Sequence, residues 1–282
     1  MNDKGKRMLC VMAAAGLLAG GLAGCGTGGP AETKKEAPHA NETVELTVFA
    51  AASMTETLTE LAESYKAVAP NVKLTFNFDS SGTLKTQIEE GADCDLFISA
   101  AQKQMNQLDA SKDAEANPDG LDLIDSATRI DLLENKVALV VPEGNPAGIR
   151  SFDDIGTKCD LIALGNDDVP VGQYSEEILT GLGLLDALES ANKITYGSNV
   201  KEVATQVAEG SVDCGIIYAT DAFSAGLTIV DQAAKDLCKQ VVYPAAVLKA
   251  APHPDEARAF LDYLQSDAAI KVFEAVGFAK AG

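Results

Sequence analysis

Ile88-Glu89-Glu90-Gly91-Ala92-Asp93-Cys94-Asp95-Leu96-Phe97-Ile98 returns later in the chain, with one insertion, as Val207-Ala208-Glu209-Gly210-Ser211-Val212-Asp213-Cys214-Gly215-Ile216-Ile217. Each copy reads as the end of a helix, a glycine stop, an Asp-Cys pair and a buried strand. One supersecondary unit used twice predicts two lobes of like βα topology. It also places Cys94 and Cys214 at equivalent points of different lobes, which makes them poor disulfide partners. Around both copies strands and helices alternate, the pattern of mostly parallel sheets flanked by helices.

Outward from the first copy, apolar patterning predicts strands over 44–51, 72–78, 95–99 and 136–141. Met54, Leu58, Leu61, Ala62, Tyr65 and Val68 mark one face of a helix that Pro70-Asn71 ends. Further helices are expected over 83–90 and 101–109, and the acidic stretch 111–128 reads as a surface connection. Around the second copy, strands are expected over 160–164, 194–196, 216–218 and 227–230, and helices over 175–182 and 200–208. A strand over 240–248 carries Pro244, and helices over 254–265 and 268–276 close the chain. The expected division is 44–135 for the first lobe, 136–239 for the second and 240–282 for a return to the first.

The N-terminus reads as an export signal. Lys4, Lys6 and Arg7 precede an apolar, glycine-broken run over 8–24 that is too short and loose to span a membrane. Leu22-Ala23-Gly24-Cys25 resembles a bacterial lipobox, in which the Cys thiol receives a diacylglycerol and becomes the mature N-terminus. The alternative is an ordinary signal peptide cut nearby. The expected layout is a signal peptide over 1–24 and a flexible Gly-, Pro- and Lys-rich tether over 25–43. Acyl chains on Cys25 would hold the protein on the outer face of the cell membrane or in the periplasm.

The 282 residues carry 22 Lys and Arg against 42 Asp and Glu, a formal charge of −20. Loss of residues 1–24, with three bases and Asp3, leaves 258 residues near −22. Such a chain has no basic surface for nucleic acid or anionic lipid. Trp is absent, which argues against a sugar-stacking site. Cys94, Cys159, Cys214 and Cys238 follow Cys25 without C-x-x-C spacing, so a zinc or redox motif is not readable. Up to two disulfides or four buried thiols are both open readings. The only histidines are His39, in the tether, and His253, between two prolines. Neither a Cys–His nor a Ser–His–Asp arrangement is legible, which disfavours an enzyme, and no His–carboxylate cluster suggests a metal centre.

Four strand-to-helix junctions share one character: Ala51-Ala52-Ser53, Ser80-Ser81-Gly82, Val169-Pro170-Val171-Gly172 and Ser198-Asn199-Val200. Small or polar residues stand where a helix starts, and a helix start has unpaired N–H groups with partial positive charge. Several such ends facing one point make an anion site without Lys or Arg. Taken singly, each junction has a plainer reading. Ser53 with Glu56 and Asn199 with Glu202 have capping-box spacing, and Gly172 could be a turn residue.

Several segments resemble the periplasmic molybdate-binding proteins of ABC importers. They are Phe49-Ala50-Ala51-Ala52-Ser53-Met54-Thr55, Ser80-Ser81-Gly82-Thr83-Leu84 and Asp95-Leu96-Phe97-Ile98-Ser99-Ala100, followed by Val169-Pro170-Val171-Gly172-Gln173-Tyr174, Gly215-Ile216-Ile217-Tyr218 with Asp221-Ala222, and Tyr243-Pro244-Ala245-Ala246-Val247. The resemblance implies a two-lobed α/β periplasmic-binding-protein fold with crossing strands at the hinge. It implies a monomer that needs no cofactor and delivers molybdate or tungstate to an importer permease. Residue by residue, it implies that Ser53 and Ser81 donate from the first lobe, Val171 and Val200 through backbone N–H from the second, and Tyr218 through its phenol. Molybdenum would be held only within its oxyanion, with no protein ligand to the metal. Asp79 departs from the pattern, and its carboxylate is expected to point away from the anion. Receptors for sulfate, or for iron through clustered tyrosines, are the alternatives within such folds.

Overall fold

Residues 43–282 are described by a computed structural model. The expected signal peptide, Cys25 and the expected tether up to residue 42 lie outside the described residues. In chain order the elements are β1 (Val44–Ala51), α1 (Thr55–Tyr65), β2 (Val72–Asp79), α2 (Ser81–Glu89), β3 (Leu96–Ile98), α3 (Gln102–Asn106), β4 (Ile130–Asn135) and β5 (Val137–Val141). There follow α4 (Ile155–Lys158), β6 (Ile162–Gly165), α5 (Pro170–Gly181), α6 (Leu185–Ser190), β7 (Ile194–Gly197), α7 (Val200–Ala208), β8 (Cys214–Tyr218), α8 (Ala219–Ala225) and β9 (Thr228–Gln232). β10 (Val241–Val247), α9 (Pro254–Leu264), α10 (Asp267–Ala275) and β11 (Ala279–Lys280) complete the chain.

Two sheets divide these strands. The first has the order β11-β4-β10-β3-β1-β2 and the second β7-β6-β8-β5-β9. Within each, the strands that lead into helices are parallel: β1 with β2 and β3, and β6 with β7 and β8. β10 and β5, which follow the chain's passage from the other sheet, run antiparallel to their neighbours. The sheets are therefore mixed rather than mostly parallel. The cause is the two crossings, β4 to β5 and β9 to β10, which bring a strand in from the opposite direction.

Alternation along β1 shows how the first lobe is filled. Leu46, Val48 and Ala50 pack on one face with Leu58, Leu61, Phe260 and Phe273, whereas Phe49 faces a second cluster with Leu84, Ile88 and Met105. Helices thus cover both faces of this sheet, as βα connections require.

The main departures from expectation are at element starts and at β4. Ile130-Asp-Leu-Leu-Glu-Asn has two adjacent leucines between acids and no period of two, so it gives no strand signal, yet Leu132 and Leu133 are both buried between β10 and β11. α5 begins at Pro170, five residues before the expected start. Proline at a helix's first position carries no N–H to lose, and that signal outweighs the polar residues after it. Ser53 is not a helix cap: it lies inside a one-turn helix, Ala52–Met54, whose cap position is Ala51. Asn199 does cap α7, accepting from the N–H groups of Lys201 and Glu202, but the Glu202 carboxylate turns to Ser198 instead of completing a capping box.

The four described cysteines are free thiols. Cys159 and Cys214 are both buried with their sulfurs 3.6 Å apart, and the contact holds the Cys214 thiol protonated well above the usual range, with burial adding to it. Cys94 belongs to the first lobe's second cluster, apart from that pair.

Candidate functional site

The helix starts of both lobes converge at the carboxyl ends of the parallel strands, where open α/β sheets bind ligands. β1 ends at Ala51 and leads to Ser53, β2 ends at Asp79 and leads to Ser81, and β6 leads through the loop 166–169 to Val171. β7 leads to Val200, and β8 ends on Tyr218 itself. One small cavity is lined by Ala51, Ala52, Ser53, Asp79, Ser80, Ser81 and Ala100 from the first lobe and by Val169, Pro170, Val171, Val200 and Tyr218 from the second. All five residues singled out in the sequence meet there, and each is buried. The space open to the centre of a water molecule is about 10 Å³, room for one small compact group.

The five residues singled out in the sequence each bring a donor. Pro170 has no N–H, and the N–H groups of Gly172 and Gln173 both turn to the Val169 carbonyl, so Val171 supplies the first free N–H of α5. Gly172 is a packing residue rather than a turn residue: a Cβ there would lie 2.4 Å from the Gly165 carbonyl oxygen, so only glycine lets α5 start against the end of β6. Val200 heads α7 ahead of the N–H groups that Asn199 caps. Ser81 Oγ accepts from the Ala100 N–H at 2.9 Å, which leaves its proton to donate. Ser53 Oγ shares a hydrogen bond with the Tyr243 phenol at 2.8 Å. The Tyr218 phenol donates only to the Ala100 carbonyl, at 3.5 Å, a long contact. Burial pushes its pKa up, so it stays a proton donor at neutral pH.

No Lys, Arg or His lines the cavity. Apart from Asp79, the lining is a set of neutral donors and helix-start dipoles, which suits a small anion. Among the described residues no group of His, Cys, Asp and Glu is placed to hold a metal ion. Asp79 is also among the lining residues. It is half-buried, with Oδ1 accepting from the Ser80 N–H at 2.7 Å.

Sequence reasoning missed the layer behind the site. Tyr243 is fully buried and bridges Ser53 to Asn135, whose amide donates to it at 3.2 Å and to Thr220 at 2.9 Å. These residues come from β10, β4 and α8, and nothing local in the sequence marks them as neighbours. Also unforeseen is the contact of Gly82 with Asp168 across the cleft: the Gly82 N–H donates to the Asp168 carbonyl at 3.0 Å.

Two lobes that meet at a small cavity rimmed by helix starts, with no cation in its lining, are the arrangement of a solute-binding protein. The chain belongs to the family of bacterial extracellular solute-binding proteins, whose pattern matches residues 46–279. It is 37% identical over 259 residues to YvgL of Bacillus subtilis (strain 168), which is named as an ABC transporter substrate-binding lipoprotein; the match covers 91% of this chain and 92% of that one. It is 36% identical over 240 residues to the molybdate-binding protein ModA of Haemophilus influenzae, covering 83% of this chain and 89% of that one. A solved structure described as the substrate-binding domain of a molybdenum ABC transporter from Clostridium difficile shares 37% identity and superposes with a TM-score of 0.63, covering 85% of this chain and all of the other.

Proposed function

We propose that this protein captures molybdate or tungstate outside the cytoplasmic membrane and hands it to the permease of an ABC importer, without catalysing a reaction. The observation that carries this reading is the cavity between Ser53, Ser81, Val171, Val200 and Tyr218, which is compact and lined by donors without a cation. Neutral donors suit a fully deprotonated tetrahedral dianion, because each hydrogen bond to a charged group contributes about 1.5–3 kcal/mol. The protein's own negative charge does not prevent this, since surface charges are screened beyond about 8–10 Å while the N–H dipoles act at contact. The relative named for molybdate and the solved domain named for a molybdenum transporter support the choice of anion.

Binding to the native state alone raises stability by about 2.7 kcal/mol at a hundredfold excess over Kd. Molybdate should therefore raise the melting temperature of the chain lacking residues 1–25 by roughly 5–10 °C. Tyr218→Phe keeps the ring and removes one donor. Its anion-free melting temperature should hardly move, while affinity falls roughly tenfold. A parent protein whose melting is indifferent to molybdate would end the reading, and unchanged affinity in Tyr218→Phe would remove the phenol from the site.

One observation favours a second anion. Asp79, one of the lining residues, could accept the proton of a hydrogen-bearing oxyanion such as hydrogen phosphate. Asp79→Asn would then weaken phosphate and leave molybdate unaffected or tighter.

The lipobox reading of Cys25 places the monomer on the membrane through its N-terminal lipid. Cys25→Ala should release the protein into the soluble fraction with unaltered anion affinity. Persistent partitioning into detergent with labelled lipid would overturn the anchor.

A further inference from the structure

Lys201 occupies a position that the anion site does not explain. It lies on α7 in the second lobe and donates to both carboxylate oxygens of Glu56, on α1 in the first lobe, at 2.9 and 2.7 Å. The ammonium also stands 3.4 Å from Oδ1 of Asp221, on α8. Asp221 is fully buried, and neither of its side-chain oxygens has a hydrogen-bond partner. A buried carboxylate without hydrogen bonds is costly, so its persistence needs an account.

The topology supplies one. α7 and α8 flank the same sheet and pack on each other, so Lys201 and Asp221 move together when the lobes part. Glu56 moves with the other lobe. Opening the cleft breaks the Lys201–Glu56 pair and frees the ammonium to turn fully onto Asp221. Closing it pulls the ammonium back to Glu56 and leaves Asp221 without a hydrogen bond.

We propose that Lys201 is the shared partner of a two-position latch, held by Glu56 when the lobes are closed and by Asp221 when they are open, which sets how long the captured anion stays. The latch deepens the proposed function and takes from it only that the closed form holds the anion. Glu56 and Asp221 then act with opposite sign. Glu56 favours closure, and Asp221 favours opening by competing for the ammonium and by setting a negative charge behind Tyr218 and Tyr243.

The groups facing Asp221 are Lys201 from α7, Glu56 from α1, Tyr218 from β8 and Tyr243 from β10. Burial raises the Asp221 pKa to about 6, with Lys201 opposing and Glu56 adding to the rise. As pH falls through that value Asp221 becomes neutral, its claim on Lys201 ends, and the closed form gains. Release should thus be slower at pH 5.5 than at pH 8.

The test measures molybdate release by stopped flow and lobe closure by X-ray scattering, on the chain lacking residues 1–25, at both pH values. Glu56→Gln should speed release by about two- to fivefold, the scale of an exposed ion pair. It should also enlarge the anion-free radius of gyration. Asp221→Asn should slow release about threefold or more at pH 8, shrink the anion-free form and abolish the pH dependence. Equal signs for the two variants, or a pH profile retained in Asp221→Asn, would overturn the latch. If the parent shows no response to molybdate, the choice of anion is wrong, and the scattering from the anion-free variants still decides the latch.

Discussion

Gly82→Ala will lose anion affinity by roughly 5- to 150-fold, the equivalent of 1–3 kcal/mol of overpacking confined to the closed form. A Cβ at this position would lie 2.3 Å from the Asp168 carbonyl oxygen, and the three nearest atoms all belong to Asp168. Gly82 is on α2 in the first lobe, and Asp168 is on the loop between β6 and α5 in the second. The added methyl therefore obstructs closure rather than the packing of either lobe. Within α2 the substitution is favourable, since alanine in place of a helical glycine gains about 0.5–1 kcal/mol. The anion-free melting temperature should rise by roughly 1–4 °C while binding weakens. Melting curves with and without molybdate read both effects. Weaker binding together with a lower anion-free melting temperature would mean that the methyl damages the lobe itself, and unaltered binding would mean that the lobes hold the anion without this contact.

Ser81→Ala should weaken the anion by about 1.5–3 kcal/mol, roughly 10- to 150-fold, through loss of one hydroxyl donor. Unlike Tyr218→Phe it should also cost stability. Ser81 Oγ is the acceptor for the Ala100 N–H, and removing it leaves a buried donor unsatisfied at about 1–3 kcal/mol. That corresponds to a fall in melting temperature of roughly 2–12 °C. The two losses are separable because affinity is measured between folded states. A melting loss with full molybdate affinity would make Ser81 a structural residue only.

What the sequence made legible was local. The starts of α2 and α7 announce themselves through Ser80-Ser81 and Asn199-Val200, because helix starts need small or polar residues for reasons internal to the helix; Pro170-Val171 marks a junction in the same way, although the expected helix start lies five residues later. The repeated Asp-Cys unit marked equivalent strands, β3 and β8, in two lobes. What stayed hidden depends on contacts between distant segments. β4 is a strand because β10 and β11 pair with it, and its own pattern of Asp, Leu, Leu and Glu does not alternate. The Ser53–Tyr243–Asn135–Thr220 chain joins four elements that only the fold brings together. Ser53 illustrates the difference: its spacing to Glu56 suggests a cap, yet its hydroxyl serves Tyr243 and Glu56 serves Lys201 across the cleft. The Gly82–Asp168 contact is between backbones and leaves no trace in side-chain type.

The central claim is that a cavity of neutral donors selects a fully deprotonated tetrahedral oxyanion of the molybdate class. Calorimetric titration of the chain lacking residues 1–25 with molybdate, tungstate, sulfate and phosphate tests it most directly. The account predicts one site, binding molybdate or tungstate at least about 100-fold tighter than sulfate and phosphate, a difference of about 2.7 kcal/mol. Equal affinity for sulfate, or tighter binding of phosphate, would contradict it.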